Sequence, residues 1–436
     1  MSTLQTHELS VRPGWKLLWV GQVEAQQIRE YLPTFAAEFA VMFSQILAYQ
    51  LAAHYLGRNG FSEYAVARRL VSLISPIPLL GLGVGLPRYI GYSNGRGDKA
   101  AASRYYTAAL WCVGAAALVC FLLMNLGSSY FAFLFFGSKS YARLVFPLSI
   151  MVIGFCLHSI ACGYFRGHLA MNRANLLQVL SLSLSPPLVF VVFHRNLEHV
   201  LLLQGGLWIF VAVTVLLWTG FHQRTSGIFS ETKHLLTYGV QRVPGDFTLM
   251  ALFTLPVTVL AHLDGVQYAG YVAFGIAVLS MIGAVFAPVG LVLLPKATYM
   301  LAEGSSHELR QHLLHMVKVT AIVSAILALS ISIFARWLIR LYLGDGYEQV
   351  ANIVRLVMVG ALPFSLYLVL RNIIDAFHKN GVTALILLSS LAVFGFLVVG
   401  GSYVAQKGQC VIPAFLLAIV SLSAMSAWEC RRIFSE

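Results

Sequence analysis

Two arginines, Arg68 and Arg69, stand side by side in an apolar run that begins at Phe61 and ends at Tyr92. A guanidinium in hydrocarbon costs about 2.5–3.5 kcal/mol on insertion scales, so such groups normally face a protein interior or a watery cavity. The planar fork of a guanidinium matches phosphate oxygens two at a time. Neighbouring helix positions point about 100° apart, so the two are not expected to face one groove squarely. The bland alternative is that one of them snorkels to the headgroups. Two further arginines are each followed by an aspartate four positions on, Arg242 with Asp246 and Arg371 with Asp375. That spacing puts each pair on one helix face. Either the arginines receive an anion that releases them from their aspartates, or each pair neutralises itself and supports packing near the interface. Glu38 has no partner in sequence. It reads as a proton or sodium site, or as a protonated carboxyl bonded to a neighbouring helix. Lys318 and His158 are weaker candidates: the lysine can snorkel, and a lone histidine on an apolar face is more often a packing group.

The elements that must position these groups follow from composition. The 436 residues are 58% hydrophobic and only 11% charged, against about 25% charged in an ordinary soluble domain. Repeated apolar runs near the length of a bilayer crossing argue for a polytopic helical membrane protein. The expected spans are 31–55, 62–91, 104–126, 145–165, 175–193, 199–221, 235–262, 267–295, 312–334, 351–377, 382–404 and 411–430, an all-α chain of twelve transmembrane helices. The net charge of +12 sits between the apolar runs and sets orientation, without the basic run that a nucleic-acid partner would need. With the N-terminus inside, Arg88, Arg96, Lys99, Arg104, Arg166, Arg173, Lys233, Lys379, Arg431 and Arg432 fall on the inner side. Both termini are therefore expected in the cytoplasm. The first 30 residues carry Glu24, Arg29 and Glu30 and lack the pattern of a secretory signal, and Trp15 to Val20 suit the membrane surface. The connectors near 127–144 and 335–350 are expected at the surface.

Six cysteines lie scattered without a CxxC pair, which suits buried thiols better than metal ligands or disulfides. No Walker A loop, HExxH or GxSxG occurs, so no cofactor, direct ATP drive or covalent chemistry is expected. The glycines of GLGVGLP follow no strand. Together with Pro76 and Pro78 they predict close helix contact or a bend.

The run from Phe61 to Tyr92 returns about 200 residues later, from Tyr268 to Tyr299. Pro87–Arg88 becomes Pro295–Lys296, Tyr31 matches Tyr238, Glu38 matches Asp246, and Ala170 matches Ala376. The expected organisation is an interfacial segment (1–30), a first six-helix lobe (31–221), a linker (222–234), a second lobe (235–430) and a tail (431–436). Six helices per copy make the repeat parallel, with a pathway between the lobes.

The stretches LPRYIGYSNGRGDKAAASRYY, YGVQRVPGDF, APVGLVLLPKATYMLAEG and RNIIDAFHKNG resemble the Wzx-type polysaccharide flippases of the multidrug, oligosaccharidyl-lipid and polysaccharide exporter superfamily. The resemblance implies translocation of an undecaprenyl-diphosphate-linked oligosaccharide from the inner to the outer leaflet of a bacterial inner membrane. It implies lobes that open alternately, with proton or sodium coupling, for cell-surface polysaccharide such as O-antigen or exopolysaccharide. The lipid-linked oligosaccharide and membrane lipids would be partners, alongside the polysaccharide polymerase and chain-length machinery. On this reading Arg68, Arg69, Arg242 and Arg371 bind the diphosphate, and Glu38, Asp246 and Asp375 serve as coupling sites or charge partners. Two rivals stand beside it: a small-molecule antiporter of the same superfamily, and a membrane glycan polymerase or ligase. The antiporter would want a less basic cavity. The enzyme would want a large outer loop with paired catalytic groups, which this chain lacks.

Overall fold

The computed structural model describes residues 13–194, 196–219, 228–302, 306–378, 381–403 and 407–435, with side chains placed except for 13–31, 287–307 and 407. The expectations for Trp15 to Val20, Tyr31, Lys296 and the connector 222–227 fall outside the described parts.

Helix α1 (Pro13–Ile74) folds back on itself, because Gly57 leaves helical geometry at φ 65° and ψ −168°. The limbs pack antiparallel: the ring of Tyr49 meets that of Tyr64 and Gln45 meets Arg68, two contacts equally spaced about the turn. The second limb breaks beyond Ser75. Two prolines open the short α2 (Pro76–Leu79), where the missing N–H groups interrupt the hydrogen-bond ladder. Leu80 (φ 52°) and Gly81 (φ 70°) then take left-handed conformations before α3 (Leu82–Gly95) completes the crossing. The expected single helix over 62–91 is thus three pieces. Helix α4 (Lys99–Leu126) starts at Asp98, whose carboxylate accepts from the Ala101 N–H at 2.8 Å. The connector near 127–144 is folded rather than loose. It forms α5 (Ser128–Phe136) and a 3₁₀ turn (Lys139–Leu144), and buries Phe135 and Phe136.

Helix α6 (Val145–Gly167) is followed by α7 (Met171–Gln178), a π-helix (Val179–Leu184) and α8 (Ser185–Val192), and then by α9 (Leu197–Trp218). The second half contains α10 (Ile228–Leu263), α11 (Val266–Ala302) and α12 (Ser306–Leu343). Next come α13 (Glu348–Val357) and α14 (Ala361–Phe377), joined by a 3₁₀ turn, and finally α15 (Val382–Ser402) and α16 (Val411–Ile433). Helix α10 begins seven residues before the expected 235, taking in much of the presumed linker.

Among the described residues eleven helical runs are long and apolar enough to cross a membrane, and the first, Leu32–Leu79, contains both limbs around Gly57. Counting the two limbs separately, the described residues hold twelve segments of crossing length, and the chain is a multi-pass membrane protein. Loops gather at two ends, here named the Gly57 end and the Gly97 end. Helices α6 and α11 form the interior, while α12 and α15 turn most of their apolar surface outward, as the walls of a bundle in lipid do. Helices α1–α9 form one lobe and α10–α16 the other. They meet where α1 packs on α11 and where α3 and α4 pack on α10. At the second seam the backbones touch: a Cβ added to Gly239 would lie 2.0 Å from the Leu80 carbonyl oxygen. The glycine run thus gives both the close contact and the bend that the sequence suggested.

A cationic chamber between the lobes

At the Gly57 end the lobes are sealed by rings. Tyr49 meets Phe61, Tyr64 and Phe274 at centroid distances of 6.1, 5.7 and 5.3 Å, and Phe61 meets Tyr347 at 5.5 Å. Polar contacts cross the same seam. Ser62 Oγ donates to the Gln267 carbonyl at 3.1 Å, and the Tyr342 hydroxyl donates to the carbonyl of Ile46. Gly270 lets Ser62 approach so closely that a Cβ there would stand 2.3 Å from its Cα. The plug is thus five rings, three of them tyrosines, closing the Gly57 side of whatever lies behind it.

Directly behind it is a cavity of about 200 Å³, walled by both limbs of α1 and by α11. Arg68 and Arg69 both line it. They do not face it squarely, since they reach the space from different sides. Arg68 leans back on its own lobe. One of its Nη groups donates to the Gln45 side-chain carbonyl, and its guanidinium lies 5.8 Å from the centroid of Trp208. Arg69 points the other way, its Nη2 coming within 3.5 Å of Ser280 Oγ on α11. Its Nε is buried without a hydrogen-bond partner. No carboxylate pairs with either arginine among the described residues. Two like charges held this close without a counter-ion are unfavourable until an anion joins them.

The residues that fix Arg68 escaped the sequence reading. Gln45 donates from Nε2 to the Leu182 carbonyl at 3.4 Å, inside the π-helix. Ser183 in the same turn donates to the Ala40 carbonyl at 2.9 Å. Trp208 donates from Nε1 to Ser185 Oγ at 2.8 Å. The widened turn therefore turns side chains and carbonyls toward α1, in keeping with the frequent use of π-turns at functional sites. The signal that could have found this turn is the pair Pro186 and Pro187, whose missing N–H groups leave the Leu182 and Ser183 carbonyls free for α1.

The other two arginines form a second station. Arg242 pairs with Asp246 at 3.3 Å and Arg371 with Asp375 at 3.3 Å, both along one helix as the spacing required. Thr383 on α15 donates to Asp375 at 2.6 Å. Asp246 also lies within electrostatic reach of Arg371, so the two pairs join into one cluster beside the buried Tyr367. Its formal charge balances. Thr254 on α10 touches the Arg69 backbone, and Arg242 lies twelve residues earlier on that helix, about 18 Å toward the Gly97 end. The four arginines are thus not one site, and only Arg68 and Arg69 lie in the chamber without acids.

Glu38 is not buried in apolar surroundings as expected; its side chain is exposed. The steps from Glu38 to Met42, Gln45 and Tyr49 keep it on the chamber-facing side of α1, one turn nearer the Gly97 end. Lys318 is exposed on α12 and lies outside the chamber. His158 is buried in the first lobe with Nε2 3.5 Å from Cys162 Sγ, away from the chamber. A lobe-to-lobe ion pair that the sequence did not suggest joins Arg104 Nε to Glu231 Oε1 at 2.6 Å near the Gly97 end. All six cysteines are free.

No protein-family model matches the chain, and a search of curated proteins returns no match. Solved structures do match. An inward-facing multidrug resistance MATE family transporter of the MOP superfamily superposes with a TM-score of 0.76 at 13% identity, covering 92% of this chain and 98% of that one. The chain has the fold of the MATE-type transporters. An outward-facing MATE structure of the same superfamily gives 0.61 at 13% identity, over 92% of this chain and 96% of the other. A MOP superfamily transporter from Pyrococcus furiosus, described as having a binding pocket of reverse polarity that suggests a different function, gives 0.67 at 13% identity, over 93% and 95%. The all-helical, two-lobed architecture expected from the internal repeat is this fold.

Proposed function

We propose that the protein is an alternating-access transporter of the MOP type whose substrate carries phosphate, and that this substrate is a lipid-linked oligosaccharide diphosphate moved from the inner to the outer leaflet. The carrying observation is the pair Arg68 and Arg69, set behind the ring plug with no carboxylate paired to either among the described residues. An anion in that chamber gains charge-assisted hydrogen bonds and relieves the repulsion between the guanidiniums. A cation there meets two positive charges and no partner. With the N-terminus inside, the plug lies on the outer side, and the higher TM-score with an inward-facing relative agrees with a chamber waiting for cytoplasmic cargo.

On this reading the balanced cluster of Arg242, Asp246, Arg371 and Asp375 is an entry station nearer the cytoplasm, where an arriving diphosphate competes with the aspartates. Cargo in the chamber binds the inward and outward arrangements differently, because only the inward one keeps the ring plug above it. That difference is what moves the equilibrium. Glu38 at the chamber-facing edge of α1 is the proton or sodium site.

A second reading is a small-molecule antiporter. It is favoured by the likeness to multidrug MATE structures, and the acids at Glu38 and Asp246 would then serve the drug or its counter-ion. One reconstitution separates the two. Vesicles containing the protein are offered a labelled lipid-linked oligosaccharide and, separately, a fluorescent cationic dye. The flippase reading expects the lipid to cross and the dye to stay; dye export without lipid transfer would establish the antiporter.

A further inference from the structure

On the far side of the α1–α11 seam from the chamber lies a second cavity of about 390 Å³. No charged residue lines it. Its outer wall is α12, which contributes Leu327, Ile331, Ala335, Leu338 and Tyr342 in helical steps, a stripe about 22 Å long. Tyr342 closes this groove at the Gly57 end by its bond to the Ile46 carbonyl.

Met42 and Met281 line both the groove and the chamber. Two unbranched thioether side chains therefore form the partition between the guanidiniums of Arg68 and Arg69 and an apolar trough. Methionine changes rotamer at little cost, so this partition can yield without moving a helix backbone. An amphiphile with an anionic head and one long hydrocarbon tail satisfies both compartments at once. A small anion leaves the groove unused, and a bilayer phospholipid brings one phosphodiester and two tails to a single groove.

We infer that the groove between α1, α11 and α12 holds the polyisoprenoid tail of the same molecule whose phosphates occupy the chamber, with Met42 and Met281 as the threshold between head and tail. This rests on the reading of the cargo as a lipid-linked diphosphate. The groove gains nothing from burying hydrocarbon that is already in lipid. Its contribution is tethering: a tail lodged there raises the effective concentration of the head at Arg68 and Arg69. It also lets the tail stay at the membrane side of the seam while the head crosses.

The test places the photocrosslinking residue p-benzoylphenylalanine at Ile331 or Leu338 in the groove, at Ala284 in the chamber, and at Leu217, which is exposed on α9 away from both. Each protein, in nanodiscs of phosphatidylcholine, is irradiated with undecaprenyl diphosphate or with undecaprenol. The expected result is capture of undecaprenyl diphosphate at Ala284 and at both groove positions. Undecaprenol is then captured in the groove about tenfold less, the loss of tethering, and Leu217 shows no preference. Capture of the diphosphate at Ala284 with only phosphatidylcholine captured at Ile331 and Leu338 would overturn the tail site while leaving the cargo reading intact. Absence of capture at all three would remove both.

Discussion

Arg69 Nη2 on α1 stands 3.5 Å from Ser280 Oγ on α11, so a guanidinium of one lobe rests against the wall of the other. The contact is weak because it is long: the hydroxyl donates to the Ile276 carbonyl at 2.8 Å and offers Arg69 a neutral lone pair at 3.5 Å. What holds Arg69 in place is therefore packing rather than a counter-charge, which leaves its donors free for cargo. Replacing Arg69 by alanine should slow lipid transfer by about tenfold to a hundredfold, the worth of one or two charge-assisted bonds. Arg69→Lys keeps the charge but loses the fork and should recover only part of the rate. Initial rates in vesicles at matched protein content measure both.

The ring plug must part for cargo to leave at the Gly57 end. In a background without the six free thiols, Ser62→Cys with Gln267→Cys puts one thiol beside the Gln267 backbone, where Ser62 Oγ now donates to its carbonyl at 3.1 Å, and the second thiol on that same residue. Oxidation should stop transfer, and a reductant should restore it. Full transfer by the oxidised, crosslinked protein would mean that this seam does not open.

The ion pair between Arg104 and Glu231 joins the lobes near the other end, with the carboxylate side chain only 8% exposed. Arg104→Ala strands that carboxylate and should lower stability by about 1–3 kcal/mol. The double variant with Glu231→Ala should be less destabilised than the sum of the single changes. Thermal midpoints in one detergent provide the comparison; strict additivity would show that the pair has no net worth.

Much of this architecture was readable because membranes are strict. Twelve apolar runs and the repeat of Pro87–Arg88 as Pro295–Lys296 point to two six-helix lobes, since runs of that length satisfy their backbone in lipid as helices. The spacing of Arg242 with Asp246 and of Arg371 with Asp375 gave two real ion pairs. What sequence could not supply was the partner of each charge across helices. Arg68 and Arg69 look alike in the chain, yet one leans on Gln45 and Trp208 and the other on Ser280. Glu38 looked buried because its neighbours are apolar, but it lies on an exposed face beside the chamber. The free carbonyls of the π-turn at Val179–Leu184 do have a sequence signal: Pro186 and Pro187 cannot donate to Leu182 and Ser183 four residues back, and Gln45 and Ser44 on α1 bond those carbonyls instead.

The backbone contact between Leu80 and Gly239 predicts a strong steric effect from a very small change. Gly239→Ala puts a methyl 2.0 Å from the Leu80 oxygen, and overpacking of this kind costs about 1–3 kcal/mol. The expected outcome is a lower melting temperature. Gly83→Ala, which meets nothing within 4 Å, serves as the control and should leave it unchanged.

The central claim is that Arg68 and Arg69 form an anion site that lacks its own counter-ion. Its most direct test is equilibrium binding of farnesyl diphosphate to the purified protein by isothermal titration calorimetry, with Arg68→Ala, Arg69→Ala and the distant Lys318→Ala in parallel. The account predicts saturable binding that weakens by about tenfold or more in each chamber variant and is unchanged in Lys318→Ala. Binding of equal strength in all four proteins, or saturable binding of a cationic dye in its place, would contradict it.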